Sequence, residues 1–166
     1  MIHFKSLTLN GGYTTMKNII SPENTANFFL SECRERGEVL TNLKLQKLLY
    51  YAQAWYLALK DKPLFSEDFE AWVHGPVLPS QYQRFKKSEW RPILDEISSP
   101  NIPNDKIISH LTEVVNVFGI ETASNLELMT HNESPWKNAR QDIPIDKPSN
   151  AIITKESMKS FYKTLI

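Results

Sequence analysis

Cys33 is the lone cysteine of this chain, and the four histidines that might serve a thiol as a base, His3, His74, His110 and His131, are scattered along its length. Thiol or hydroxyl hydrolysis needs a nucleophile, a base and a group that orients the base, yet no G-x-S-x-G elbow or cysteine-enzyme signature is present. The histidines lack H-E-x-x-H or comparable ligand spacing, and one cysteine rules out both a multi-cysteine zinc site and an intrachain disulfide. The chain has five glycines, two of them Gly11 and Gly12, and neither Walker A nor G-x-G-x-x-G occurs to cradle a phosphate. Carboxylates are dispersed, as at Glu67-Asp68, where solvated charge is the ordinary explanation. The sequence therefore nominates no catalytic residue, no metal and no cofactor.

Polar residues with a regular spacing are found instead on one amphipathic helix. Thr41 is placed to cap it, and Leu45, Leu48, Leu49, Ala52, Trp55 and Leu59 form its expected buried face. Gln46, Tyr50 and Gln53 recur along a neighbouring stripe, while Lys44, Lys47 and Tyr51 form another. A solvated face with an aromatic shoulder and a partner-binding surface both account for such stripes.

The flanking elements follow from caps and periodicity. Ser21-Pro22 opens a helix whose stripe is Ala26, Phe29, Leu30 and Cys33, ended by Gly37; Cys33 on this stripe is read as core packing. Phe69-Glu70-Ala71-Trp72-Val73-His74 alternates as a half-buried strand broken by Gly75-Pro76, and Pro79-Ser80 opens a short helix. Residues 88–104 read as an irregular connection of tolerant length. Residues 105–118 return to helix, with Ile108, Leu111, Val115 and Phe118 inward, and 122–129 form a shorter one. Ser134-Pro135 repeats the cap-plus-proline device. Residues 151–153 suit a second strand that pairs with the first, and Thr154 caps a closing helix carrying Met158, Phe161, Tyr162 and Leu165. The expected fold is mainly α: a compact single-domain helical fold with a small two-stranded β element.

At 166 residues, with 41% hydrophobic and 23% charged residues, the chain suits one domain with a core of its own. Lys plus Arg and Asp plus Glu both number 19, so no net field gathers a polyanion or an anionic membrane. Lys44 with Lys47, and Lys86-Lys87, are local basic concentrations that keep a winged-helix-like DNA-binding regulator as an alternative. No apolar run reaches the roughly 18 to 20 residues of a membrane span, residues 1–15 lack a signal-peptide apolar region, and cysteine usage suits a reducing cytoplasm.

Three landmarks occur in order: Lys44, Gln46, Lys47, Leu48 and Tyr50 in a K-L-Q-K-L-x-Y helix; Ala71, Gly75, Pro76 and Val77 in an A-x-x-x-G-P-V turn; and Thr130, His131, Pro135 and Trp136 in a later Thr-His, Pro-Trp turn. Together they resemble the Panacea domain family, SocA-like and phage-associated, and the resemblance covers most of residues 16–166. It implies a non-enzymatic, cytoplasmic antitoxin of a toxin–antitoxin system that neutralises a separately encoded cognate toxin. Neutralisation would proceed by direct protein–protein binding or by proteolytic-adaptor delivery to a cytoplasmic protease. It also implies a natural start at Met16, with residues 1–15 an N-terminal extension and 16–166 the antitoxin domain. The position of His74 is often aromatic in the family, which argues against a role specific to this histidine.

On that resemblance the partner-binding or turn-supporting candidates are Lys44, Gln46, Lys47, Tyr50, Tyr51, Gln53, Gly75, Pro76, His131 and Trp136. Gln46, Lys47, Tyr50, Tyr51 and Trp136 are the expected exposed anchors of an interface. Two other readings stay open. Lys47, Tyr50, His131 and Trp136 would line the pocket of a small uncharacterised enzyme, whereas Lys47 and His131 would hold the two turns by hydrogen bonds in a structural role.

Overall fold

The computed structural model describes residues 17–166, so the expectations for residues 1–15, for a start at Met16 and for His3 lie outside the described residues. Helix α1 (Pro22–Glu35) begins as its cap dictates: Ser21 Oγ accepts the Asn24 N–H at 3.0 Å and proline fills the first turn. Past its end, Gly37 adopts φ +82, and the Glu38 N–H returns to the Cys33 carbonyl at 2.8 Å. Thr41 caps α2 (Asn42–Lys60) by accepting the Lys44 N–H at 3.2 Å, and Asp61 at φ 58 ends it.

Helix α2 is the axis of the molecule, packed against α1, α3 (Pro79–Arg84), α4 (Asp105–Phe118), α5 (Ala123–Asn132), α7 (Lys155–Lys163) and the sheet. Every residue from 45 to 54 is buried. A helix closed in on all sides must satisfy its polar groups internally, and this overturns the expectation of exposed anchors on Gln46, Lys47, Tyr50 and Tyr51. Trp136, on α6 (Ser134–Arg140), is likewise buried. The expected inner face of α2 fails only at its end, where Trp55 is half-buried and Leu59 is 50% exposed while Tyr56, Leu57 and Ala58 take the buried positions.

Three strands, β1 (Phe69–Trp72), β2 (Gly75–Val77) and β3 (Ile152–Ile153), form an antiparallel sheet in the order β2-β1-β3. Glu70 faces Val77 and Trp72 faces Gly75 in one ladder, and Phe69 faces Ile153 in the other. The pairing of residues near 152 with the first strand is as expected. Gly75-Pro76 does not terminate the β structure, however: with Val73-His74 as the turn, it opens a third strand, and Pro76 is tolerated because β2 is an edge.

Further departures have local causes. The inner face of α4 is Ile107, Leu111, Val114, Val115 and Phe118, so Ile108 is turned outward, 40% exposed, one step round the helix. Leu165 lies past the end of α7 and is exposed. The segment 88–104 is irregular, yet Ile93 is fully buried and its N–H bonds the Leu40 carbonyl at 2.8 Å, pinning the connection to the core. Ser134 does not cap α6; Glu133 occupies that position without a capping bond, because its carboxylate is taken by two tyrosines.

Candidate functional site

Gln46, Lys47 and Gln53 of α2 reach backbone rather than solvent. Gln53 Nε2 donates to the Phe65 carbonyl at 2.7 Å while its Oε1 accepts the Leu64 N–H at 2.8 Å, clamping the segment before β1. Gln46 does the same after β2, accepting the Leu78 N–H at 2.9 Å, with its Nε2 on Asn42 Oδ1. Between them Lys47 Nζ donates to the Pro76 carbonyl at 3.1 Å. Burial pushes the Lys47 ammonium down to about 7, with Glu127 opposing the shift, so at neutral pH a large fraction is uncharged.

The same hairpin is fastened from α6 as well. Trp136 Nε1 donates to the Trp72 carbonyl at 2.9 Å, and the buried Arg140 donates to the Ala71 carbonyl at 2.7 Å. His131 stacks on Trp136 with centroids 4.0 Å apart, and the Arg140 guanidinium lies over the Trp136 ring at 4.9 Å. Burial lowers the His131 imidazole below its ordinary range, and its Nε2 has no hydrogen-bond partner among the described residues. Gly75, at φ +96, leaves no room for a side chain: a Cβ there would lie 2.7 Å from Lys47 Cε and 2.8 Å from Thr130 Oγ1.

A second polar centre lies one turn further along α2. Tyr51 donates to Glu133 Oε1 at 3.1 Å and Tyr162 donates to Oε2. Burial raises the Glu133 carboxyl above its ordinary value despite both hydroxyl donors. Tyr50 packs edge-on against Tyr51, Phe69 and Tyr162, and its buried hydroxyl meets no partner at hydrogen-bond geometry among the described residues.

The structure thus brings Lys47, Gly75, Pro76, His131 and Trp136 together around one hairpin, with Gln46 and Gln53 at its flanks. Tyr50 and Tyr51 belong to the separate tyrosine centre. Lys44 is apart from both: its ammonium donates to the Gly119 carbonyl at 2.6 Å and lies 3.8 Å from Glu38 Oε2. With Lys47 sealed inside, only Lys86 and Lys87 of the four expected basic residues are exposed. Cys33 is buried, its thiol pushed up to about 11 by desolvation, which suits packing rather than nucleophilic attack. Among the described residues no three His, Cys, Asp or Glu side chains group as metal ligands, and no helix is long and apolar enough to cross a membrane.

Arg140 and Glu133 were not singled out by the sequence reading. Arg140 also donates to the carbonyls of Pro144 and Lys147, at 2.8 and 2.5 Å, which organises the loop ahead of β3. Its only sequence signal is its place near the end of a short helix, shared with many surface arginines. Glu133 lies inside the Thr-His, Pro-Trp landmark, but a cap position masks its partners.

The model of the family described as Antitoxin SocA-like, Panacea domain, matches residues 45–137, which run from α2 through the hairpin to α6. Antitoxin SocA of Caulobacter vibrioides (strain NA1000 / CB15N) is 32% identical, over 67% of this chain and 65% of that relative. The matched region therefore spans just under two thirds of the relative's length. No solved structure matches. The matched span contains the α2 polar clamps, the hairpin they hold and the Trp136 side of the fastening, and the chain belongs to the SocA-like, Panacea domain family.

Proposed function

We propose that this protein is the antitoxin of a toxin–antitoxin pair, and that it neutralises a separately encoded toxin by binding it rather than by turnover. Family membership carries this reading, with the relative named Antitoxin SocA beside it. The geometry supports it in one respect. Lys47 and Trp136, two of the landmark side chains that would furnish a catalytic pocket, are spent on backbone carbonyls inside the fold, an arrangement suited to a rigid scaffold that presents a surface.

The test is co-expression with the product of the adjacent gene. Growth should fail with the neighbour alone, recover when both are expressed, and the two proteins should purify together. A neighbour that is harmless alone, or lethal regardless of this protein, refutes the reading. Following the toxin's level in the rescued cells separates the two modes: a steady level with a stable complex is sequestration, and accelerated loss that requires this protein is delivery to a protease.

A further inference from the structure

The inner face of the sheet is core, but its outer face is the floor of an open groove of about 1020 Å³. Glu70 and Trp72 of β1 and Val77 of β2 line it, together with Tyr82, Glu89, Trp90 and Glu127. This volume is at the top of the range for small-ligand pockets, and the groove is open along its length, which favours a chain segment over an enclosed small molecule. Its floor is rigid: the Ala71, Trp72 and Pro76 carbonyls and the Leu78 N–H are each held by a buried side chain from beneath.

Two features show what the groove takes. Trp72 and Tyr82 meet edge to face at 4.8 Å, and Trp90 stands at the rim with 79% of its surface exposed. Tryptophan and tyrosine at the edge of a preformed groove are the residue types that anchor protein interfaces. The charges point one way. Glu70, Glu89 and Glu127 line the groove with one lysine, Lys86, and one histidine, His74; Trp72 Nε1 donates to Glu70 at 2.6 Å and His74 Nδ1 lies 3.0 Å from Glu127, and the acidic excess that remains disfavours phosphate and suits a cation.

From this arrangement we infer that the groove over the β1–β2 hairpin docks a segment of the toxin that presents an arginine among apolar side chains. The guanidinium would stack on the aromatic rings and pair with the carboxylates, while its apolar neighbours cover Trp72 and Val77. This inference rests on the antitoxin reading and gives it a surface. Nucleic acid is disfavoured by the acidic rim, and a second copy of this chain is an alternative occupant that the test separates.

The test uses the full chain and the purified toxin. Trp90→Ala and Glu89→Arg each alter an exposed side chain, and Glu156→Lys, on the exposed side of α7 outside the groove, is the control. Trp90→Ala and Glu89→Arg should each weaken toxin binding at least about tenfold at unchanged melting temperature, as loss of an anchor does, while the control binds normally. In hydrogen exchange the toxin should protect residues 70–77 and 86–90. Wild-type affinity in both groove variants, with those segments unprotected, overturns the groove and leaves the antitoxin reading standing. Failure of the wild-type protein to bind the toxin overturns both. Two other results overturn the assignment: concentration-dependent self-association that Trp90→Ala abolishes, and retention of DNA that Glu89→Arg strengthens while toxin binding is unaffected.

Discussion

Lys47 Nζ donates to the Pro76 carbonyl at 3.1 Å from a side chain with no exposed surface. A helix interior and the first paired residues of a hairpin are joined by one bond across 29 positions of sequence. The ammonium is easier to tolerate there because it gives up its proton readily, and a neutral amine still donates to a carbonyl.

That bond sets a pH dependence. Lys47 is held at about 7 in the folded chain and titrates at the ordinary lysine value of 10.5 when unfolded. Between those two values the unfolded state binds more protons, so folding stability from this group rises with pH, and below about 7 the full penalty of a buried charge remains. Wild type should therefore gain on Lys47→Met by up to about 1.4 kcal/mol per pH unit across this window. Urea denaturation of both proteins at pH 7, 8 and 9 checks the difference. A constant gap would mean that the buried side chain is never neutralised.

Gly75→Ala tests the same junction from the hairpin side. The substitution meets both a positive φ and a Cβ 2.7 Å from Lys47 Cε. The dihedral alone should cost about 1–3 kcal/mol, with displacement of the lysine in addition. Gly37→Ala, at φ +82 but with open space around it, should cost only the dihedral term. Denaturation midpoints of the two variants separate strain from collision.

Tyr50 and Tyr51 are neighbours in sequence with unequal expectations. Tyr51→Phe removes a donor from the buried Glu133 carboxylate and should cost about 1–3 kcal/mol. Tyr50→Phe removes a buried hydroxyl whose contact with Tyr162 falls short of hydrogen-bond geometry, so it should cost less than Tyr51→Phe. Glu133→Ala should exceed Tyr51→Phe because it strands the hydroxyls of both Tyr51 and Tyr162. Equal losses for the two tyrosine variants would show that Tyr50 does bond within the cluster.

Caps and spacing made the helices legible before any coordinates. Ser21, Thr41 and Thr154 each accept an N–H three residues on, and a local bond of this kind is written in local sequence. What could not be read was the destination of α2's polar residues. Amphipathic periodicity separates faces but is blind to a helix enclosed on all sides, where glutamine and lysine turn inward to meet backbone that arrives from 11 to 32 positions away. Arg140 went unnoticed for the same reason, since its partners Ala71 and Pro144 are assembled only by the fold. The β2 strand was missed because three residues, one of them proline, carry no alternation of their own.

Gln53 gives the sharpest separation of scaffold from interface. Its amide satisfies both the Phe65 carbonyl and the Leu64 N–H, and neither bond involves a surface a partner can reach. Gln53→Leu keeps the volume but strands two buried backbone groups, at a cost of about 1–3 kcal/mol each. Gln53→Glu retains only the acceptor geometry and loses the donor to Phe65, so it should also destabilise, and more so as pH rises and the buried carboxyl ionises. Toxin affinity of the folded fraction should match wild type for both, measured by titration at a temperature well below the melting transition. A drop in affinity at unchanged stability would place Gln53 in the interface and remove it from the clamp.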